Sequence, residues 1–152
     1  MIKLYKRTNE GLFYHEAWIS GMQIIQHEGK VGTNGDAYSF DYTSGQPDEL
    51  SLERILKSAR NNGFEPIPEE AHHNITLKWR FATQPTDIKK ISEELEEIIN
   101  EVFGWQGLGQ VQQISLNTNS SQLDCLTVDY DICVNRISEI LTNPRYSNFQ
   151  IT

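Results

Sequence analysis

Along residues 2–42 the apolar positions recur every second residue. Ile2, Leu4 and Lys6 alternate with Lys3, Tyr5 and Arg7, and Glu10-Gly11 turns the chain. Residues 12–19 and 22–28 follow as two more strands, with Ser20-Gly21 between them. Short strands separated by turn residues predict an antiparallel meander. Residues 29–36 hold three glycines, and the Asn34-Gly35 pair predicts a tight turn with both residues at positive φ. A fourth strand is expected over residues 37–42.

The period then lengthens. Leu52, Ile55, Leu56 and Ala59 share one helix face, started by Pro47-Asp48-Glu49 and ended where Gly63 offers a left-handed cap before Phe64. Glu65-Pro66-Ile67-Pro68-Glu69-Glu70 packs two prolines and three carboxylates into six residues and marks a boundary. The expected organisation is a β-meander plus helix over 1–67, a linker at 68–73 and a second domain over 74–152.

In the second domain, Ile75, Leu77, Trp79 and Phe81 alternate with Thr76, Lys78 and Arg80 as a strand over 74–82. After Pro85-Thr86-Asp87, a helix keeps Ile88, Ile91, Leu95, Ile98, Ile99, Val102 and Phe103 on one stripe, with Gly104 as its expected end. Strands are expected over 110–118 and 122–130, around the polar turn 117–121. Asp131 is the expected cap of a third helix carrying Val134, Ile137, Ile140 and Leu141, and residues 149–151 offer a last strand. The order β-α-β-β-α-β is the split βαβ arrangement of ferredoxin-like folds. The fold class is thus α+β, an antiparallel sheet plus helix followed by a ferredoxin-like unit.

Composition narrows the function classes. The 152 residues carry 13 Lys+Arg against 21 Asp+Glu, a formal charge of −8, divided evenly between residues 1–73 and 74–152. An acidic balance in both halves argues against a binder held by phosphate neutralisation, so nucleic acid is not the expected partner. Nothing resembles a signal peptide or a membrane helix, and two cysteines, Cys125 and Cys133, make no disulfide framework. The expected location is a reducing cytoplasm.

Candidate chemistry is sparse. His15 and His27 lie in successive strands where they could face one another near Glu16 or Glu28, a setting for cross-strand polar pairing more than for a metal. In Asp129-Tyr130-Asp131 the second carboxylate is expected to cap a helix. The run from Gly104 to Gly109 follows a helix and precedes a strand, the reverse of a phosphate cradle. No histidine follows position 73 to activate either cysteine. No catalytic residue, cofactor or metal ligand is expected.

Glu28-Gly29-Lys30-Val31-Gly32-Thr33-Asn34-Gly35, with the preceding strand, Phe40 and the helix ending at Asn62-Gly63-Phe64, resembles the WGR domain over residues 1–67. Gly29, Val31 and Gly32 match the family's Trp-Gly-Arg-Val-Gly signature, whereas Glu28 stands for its Trp and Lys30 for its Arg. In the polymerases that carry the domain those two residues meet DNA, so the resemblance implies a nucleic-acid module with Lys6, Arg7 and Lys30 as contacts. Glu28 repels phosphate at that place, which implies that the nucleic-acid role has been lost and that the glycines serve turn geometry. The second half is similar to segments of small uncharacterised bacterial proteins.

The expected function is a non-catalytic bacterial binding protein, of the immunity or antitoxin kind, that engages a protein partner such as a cationic toxin. Glu93, Glu94, Glu97, Glu101 and Trp105 are its candidate contacts, with Tyr5, Tyr14, Trp18 and Tyr146 as further exposed aromatics.

Overall fold

Strands β1 (Ile2–Thr8), β2 (Gly11–Ser20), β3 (Gln23–Lys30) and β4 (Asp36–Asp41) form an antiparallel sheet in the order β1-β2-β3-β4. The computed structural model describes residues 1–42 and 48–152. The fold is α+β, with two four-stranded antiparallel sheets and three helices divided between two compact units, Met1–Pro68 and Glu69–Thr152.

In the first unit α1 (Asp48–Asn61) lays Leu52, Leu56 and Ala59 on Leu4, Ala17 and Ile24, with Ile2, Ile19, Ile55 and Phe64 around them. Burying a side chain such as Leu56 completely contributes roughly 2 kcal/mol. The Pro47 start expected for this helix lies outside the described residues. The helix ends as its sequence predicts. Gly63 sits at φ 84°, its N–H donating to Arg60 O, while Phe64 N–H donates to Ala59 O. Lys6 Nζ then donates to Asn62 O at 2.6 Å and stands 5.9 Å from the Phe64 ring centroid. Glu65 exchanges two backbone hydrogen bonds with Tyr5, so the proline-rich stretch begins as an addition to the edge of β1.

The glycine-rich segment departs from expectation. Neither Asn34 nor Gly35 has positive φ; Gly32 alone makes the turn, at 86°. Gly35 answers a different need, because a Cβ there would collide with Glu28 O and the Tyr14 hydroxyl. Gly29 also lies against that hydroxyl. The two glycines are seats for a buried tyrosine rather than turn residues.

In the second unit β5 (His73–Arg80), β6 (Gly109–Asn117), β7 (Ser120–Thr127) and β8 (Gln150–Ile151) take the order β6-β7-β5-β8, every pair antiparallel. The expected linker 68–73 contains a 3-10 turn at Glu69–Ala71 and the first residue of β5. Ile75, Leu77, Leu123, Cys125 and Val111 form the inner face beneath α2 (Ile88–Trp105) and α3 (Tyr130–Ile140). A β-bulge between Val111 and Gln113 switches the parity of β6, so that Val111 and Ile114, three apart, both register with inward residues of β7.

Three helix and strand boundaries move for identifiable reasons. α2 runs on through Gly104 to Trp105, because the left-handed position falls at Gly107, φ 62°; Gly107 N–H bonds Gly104 O and Leu108 N–H bonds Phe103 O. α3 is capped by Asp129, not Asp131: the Asp129 carboxylate accepts from Ile132 N–H at 3.1 Å, and Asp131 lies in the first turn. The polar turn shrinks to Thr118-Asn119, since Ser120 and Ser121 already pair with Asn117 and Leu116.

Candidate functional site

The 3.6-residue period of α2 buries Ile88, Ile91, Leu95, Ile99 and Phe103 and leaves Glu93, Glu97, Glu101 and Trp105 at i, i+4 spacing on one exposed stripe. Lys89 reaches Glu93 at 3.7 Å. Glu97 and Glu101 have no cation within ion-pair distance among the described residues, and Trp105, 48% exposed, closes the row. Glu94 lies beside the stripe and is engaged by Arg145 Nε at 2.5 Å and Lys90 at 3.9 Å. The Arg145 hydrogen bond holds its carboxyl below the usual range.

The charges near the ends of α2 run partly against the helix dipole. Favourable electrostatics would put acids at the N-terminal end and cations at the C-terminal end. In α2 Lys89 and Lys90 open the first turn, Asp87 makes no side-chain cap, and Glu101 stands one turn from the C-terminal end. Lysine before glutamate is also the weaker i, i+4 orientation. Of the stripe, Glu101 alone stands near enough to a helix end for the dipole to disfavour it.

Lys6, Arg7 and Lys30 do not form one surface. The register Lys6↔Phe13↔Lys30 sets the two lysines on either side of Phe13 on the helix-bearing face, while Arg7, one residue on, takes the opposite face. Lys6 is occupied at the end of α1. Of the other cations of this unit, Lys3 pairs with Glu16 and Arg60 with Glu53.

His15 and His27 do not face one another either, because the register pairs His15 with Glu28 and His27 with Glu16 on opposite sides of the sheet. Sequence inspection missed what this builds. Gly35 N–H bonds the Tyr14 hydroxyl, and that hydroxyl lies 3.0 Å from His27 Nε2. His27 Nδ1 lies 2.9 Å from Glu16 Oε1, and Lys3 Nζ 2.9 Å from Glu16 Oε2. A carboxylate only accepts, so Nδ1–H donates to Glu16, and in the neutral ring Nε2 accepts a hydrogen bond from the Tyr14 hydroxyl. Tyr14 and His27 are each 1% exposed and Glu16 3%. Burial, then the Glu16 charge, pushes the Tyr14 phenol up. The signal for this chain was present in the sequence as Tyr-x-Glu in one strand and His in the next, but register decides whether such groups meet. The three side chains are buried and hydrogen-bonded in series, a polar core on this face of the sheet.

The two thiols are also enclosed. Cys125 and Cys133 are buried free thiols, each pushed up to about 12, chiefly by burial. Such thiols carry almost no thiolate at neutral pH.

The exposed aromatics differ from expectation. Tyr5, Tyr14 and Tyr146 are buried and Trp18 is half-buried; the three strand residues lie on the sheet face away from α1, which is itself covered, and Tyr146 packs in the turn after α3. Tyr38, Phe40 and Tyr130 are the exposed ones besides Trp105. Among the described residues no helix is long and apolar enough to cross a membrane. The chain matches no known family, no curated protein and no solved structure.

Proposed function

We propose that this chain is a non-catalytic binding protein whose α2 stripe, Glu93, Glu97, Glu101 and Trp105, docks a cationic protein partner, as immunity and antitoxin-like proteins do. The observation that carries this reading is an exposed row of carboxylates, two of them without an ion-pair partner among the described residues, ending on a half-exposed tryptophan. Charge unneeded for folding is available for steering a basic partner, and an indole at the rim supplies an apolar anchor. Two finer readings of the fold belong to the same proposal. The order β6-β7-β5-β8 with both helices on one face supports a ferredoxin-like second unit. The meander with α1 and the Gly29-Lys30-Val31-Gly32 segment support a WGR-like first unit.

Co-expression with the products of neighbouring genes, followed by size-exclusion chromatography, tests the function. A 1:1 complex that forms at about 50 mM NaCl and weakens at about 500 mM is expected, because salt screens an exposed charge row. Glu97→Gln with Glu101→Gln, and separately Trp105→Ala, should each weaken it about tenfold or more, corresponding to about 1.4 kcal/mol. A complex indifferent to all three changes refutes this surface.

A further inference from the structure

Strand β4 is the outer strand of the first sheet and is exposed at all six positions. Its backbone orientation follows from one bond. Tyr42 N–H donates to Met22 O at 3.0 Å, and this pair continues the register Gln23↔Asp41 by one step. Bonded and non-bonded pairs alternate in an antiparallel ladder. Phe40, Tyr38 and Asp36 therefore turn their N–H and C=O groups inward to β3, and Ala37, Ser39 and Asp41 turn theirs outward. Among the described residues nothing pairs with these outward groups.

Open edges in stable proteins are blunted by short length, charged side chains, proline or a bulge. β4 has no lysine, proline or bulge, and its sequence, Asp-Ala-Tyr-Ser-Phe-Asp, confines charge to its two ends. Tyr38 and Phe40 project at i, i+2 from the helix-bearing face, 47% and 40% exposed, giving an added strand two aromatic surfaces to lie beside. The only charges on the strand are Asp36 and Asp41, one at each end, with Glu28 opposite Asp36. A second copy of the chain pairing antiparallel through β4 would bring the Asp36 end of each against the Asp41 end of the other. Like charges at both ends disfavour that pairing. A strand ending in lysine or arginine at both termini has the opposite sign at both, whichever direction it runs.

We propose that β4 accepts an extended peptide segment with basic residues at its two ends, which adds as a fifth strand through Ala37, Ser39 and Asp41. Main-chain bonds give such additions their affinity and flanking side chains their selectivity. This surface lies in the first unit and does not depend on the α2 stripe.

The test uses the full chain and a synthetic peptide of about six residues, alternating Val and Thr between two Lys ends, so that its lysines fall on opposite faces as Asp36 and Asp41 do. Amide hydrogen exchange by NMR should show new protection at Ala37, Ser39 and Asp41, with little change at Tyr38 and Phe40. Ser39→Pro removes an outward donor without touching the β3 ladder and should weaken binding about tenfold. Asp36→Asn with Asp41→Asn should do the same through charge, which keeps the test intact should the proline variant fail to fold. Glu97→Gln with Glu101→Gln should leave peptide binding unchanged, so the two surfaces fail or succeed separately. Three results overturn the proposal: no outward protection at about millimolar peptide, equal binding of a Glu-ended peptide, or protection arising without peptide from self-association.

Discussion

The two sheets manage their second faces in opposite ways. In the first unit, the face away from α1 buries Tyr14, Glu16 and His27 in a hydrogen-bonded chain completed by Lys3 and Gly35. In the second unit, the face away from the helices is a half-exposed polar ladder in which Thr76 and Gln122 both donate to Asp124, at 2.7 and 3.0 Å. Apart from Ser120 at the start of β7, its buried polar side chains among the described residues lie on the helix side. Ser92 donates to Ile88 O, which leaves Ser121 to donate to Ser92 Oγ at 2.7 Å, and Thr127 donates to Leu108 O. The lesson concerns what each arrangement risks. Water can replace a partner lost from the exposed ladder, whereas a buried chain that loses one member leaves the others desolvated and unpaired.

That contrast can be broken at several points. Glu16→Ala should be the most damaging, costing about 3–5 kcal/mol in denaturant unfolding, because Lys3 and His27 lose their shared carboxylate; Asp124→Ala on the open face should cost about 1 kcal/mol or less. A smaller difference between the two would show that the buried chain is not what distinguishes the units. Gly35→Ala should follow at about 2–3 kcal/mol, since its Cβ meets backbone at Glu28 as well as Tyr14. Ser121→Ala, which removes one donor and leaves Ser92 bonded to Ile88 O, should cost about 1 kcal/mol.

Glu101→Gln should go the other way and raise the thermal midpoint slightly, by about 0.3 kcal/mol in stability, because it removes a negative charge near the negative end of α2. Loss of stability there would show that the stripe supports the fold after all. The last effect is a slope. Arg60 and Arg145 hold the carboxyls of Glu53 and Glu94 below their usual range. Lowered carboxyls contribute stability that is present above the unfolded value and lost as pH falls through the folded one. Unfolding midpoints should therefore fall on acidification from about pH 5 to about pH 3, and Arg60→Gln or Arg145→Gln should each flatten the decline in its own unit.

Much of the fold was legible because it rests on local periodicity. The stripe of α2, the alternation of β5 and the Gly63 cap of α1 are settled by neighbours within a few residues. Caps and helix ends shift by two or three residues, as at Asp129 and Gly107, whereas the errors about what a residue does fall where two distant segments must be compared. Gly35 is needed because Tyr14 occupies the space beside it, and Asn34-Gly35 mimics a turn signal while doing something else. The bulge in β6 hides from alternation because it changes parity midway through the strand. The acidic stripe was visible as a helix face, but separating Glu94 from Glu93, Glu97 and Glu101 required knowing that Arg145 reaches it across 51 residues of chain.

By itself, then, the sequence determined the elements, their order and the even acidic charge of the two halves, since propensity, capping and charge are properties of residues and their near neighbours. Only the tertiary structure decided which polar groups are buried together, which aromatics reach the surface and which strand edge stays open. Those outcomes depend on register, where a shift of one residue exchanges the two faces of a strand, and no local pattern fixes the register between strands.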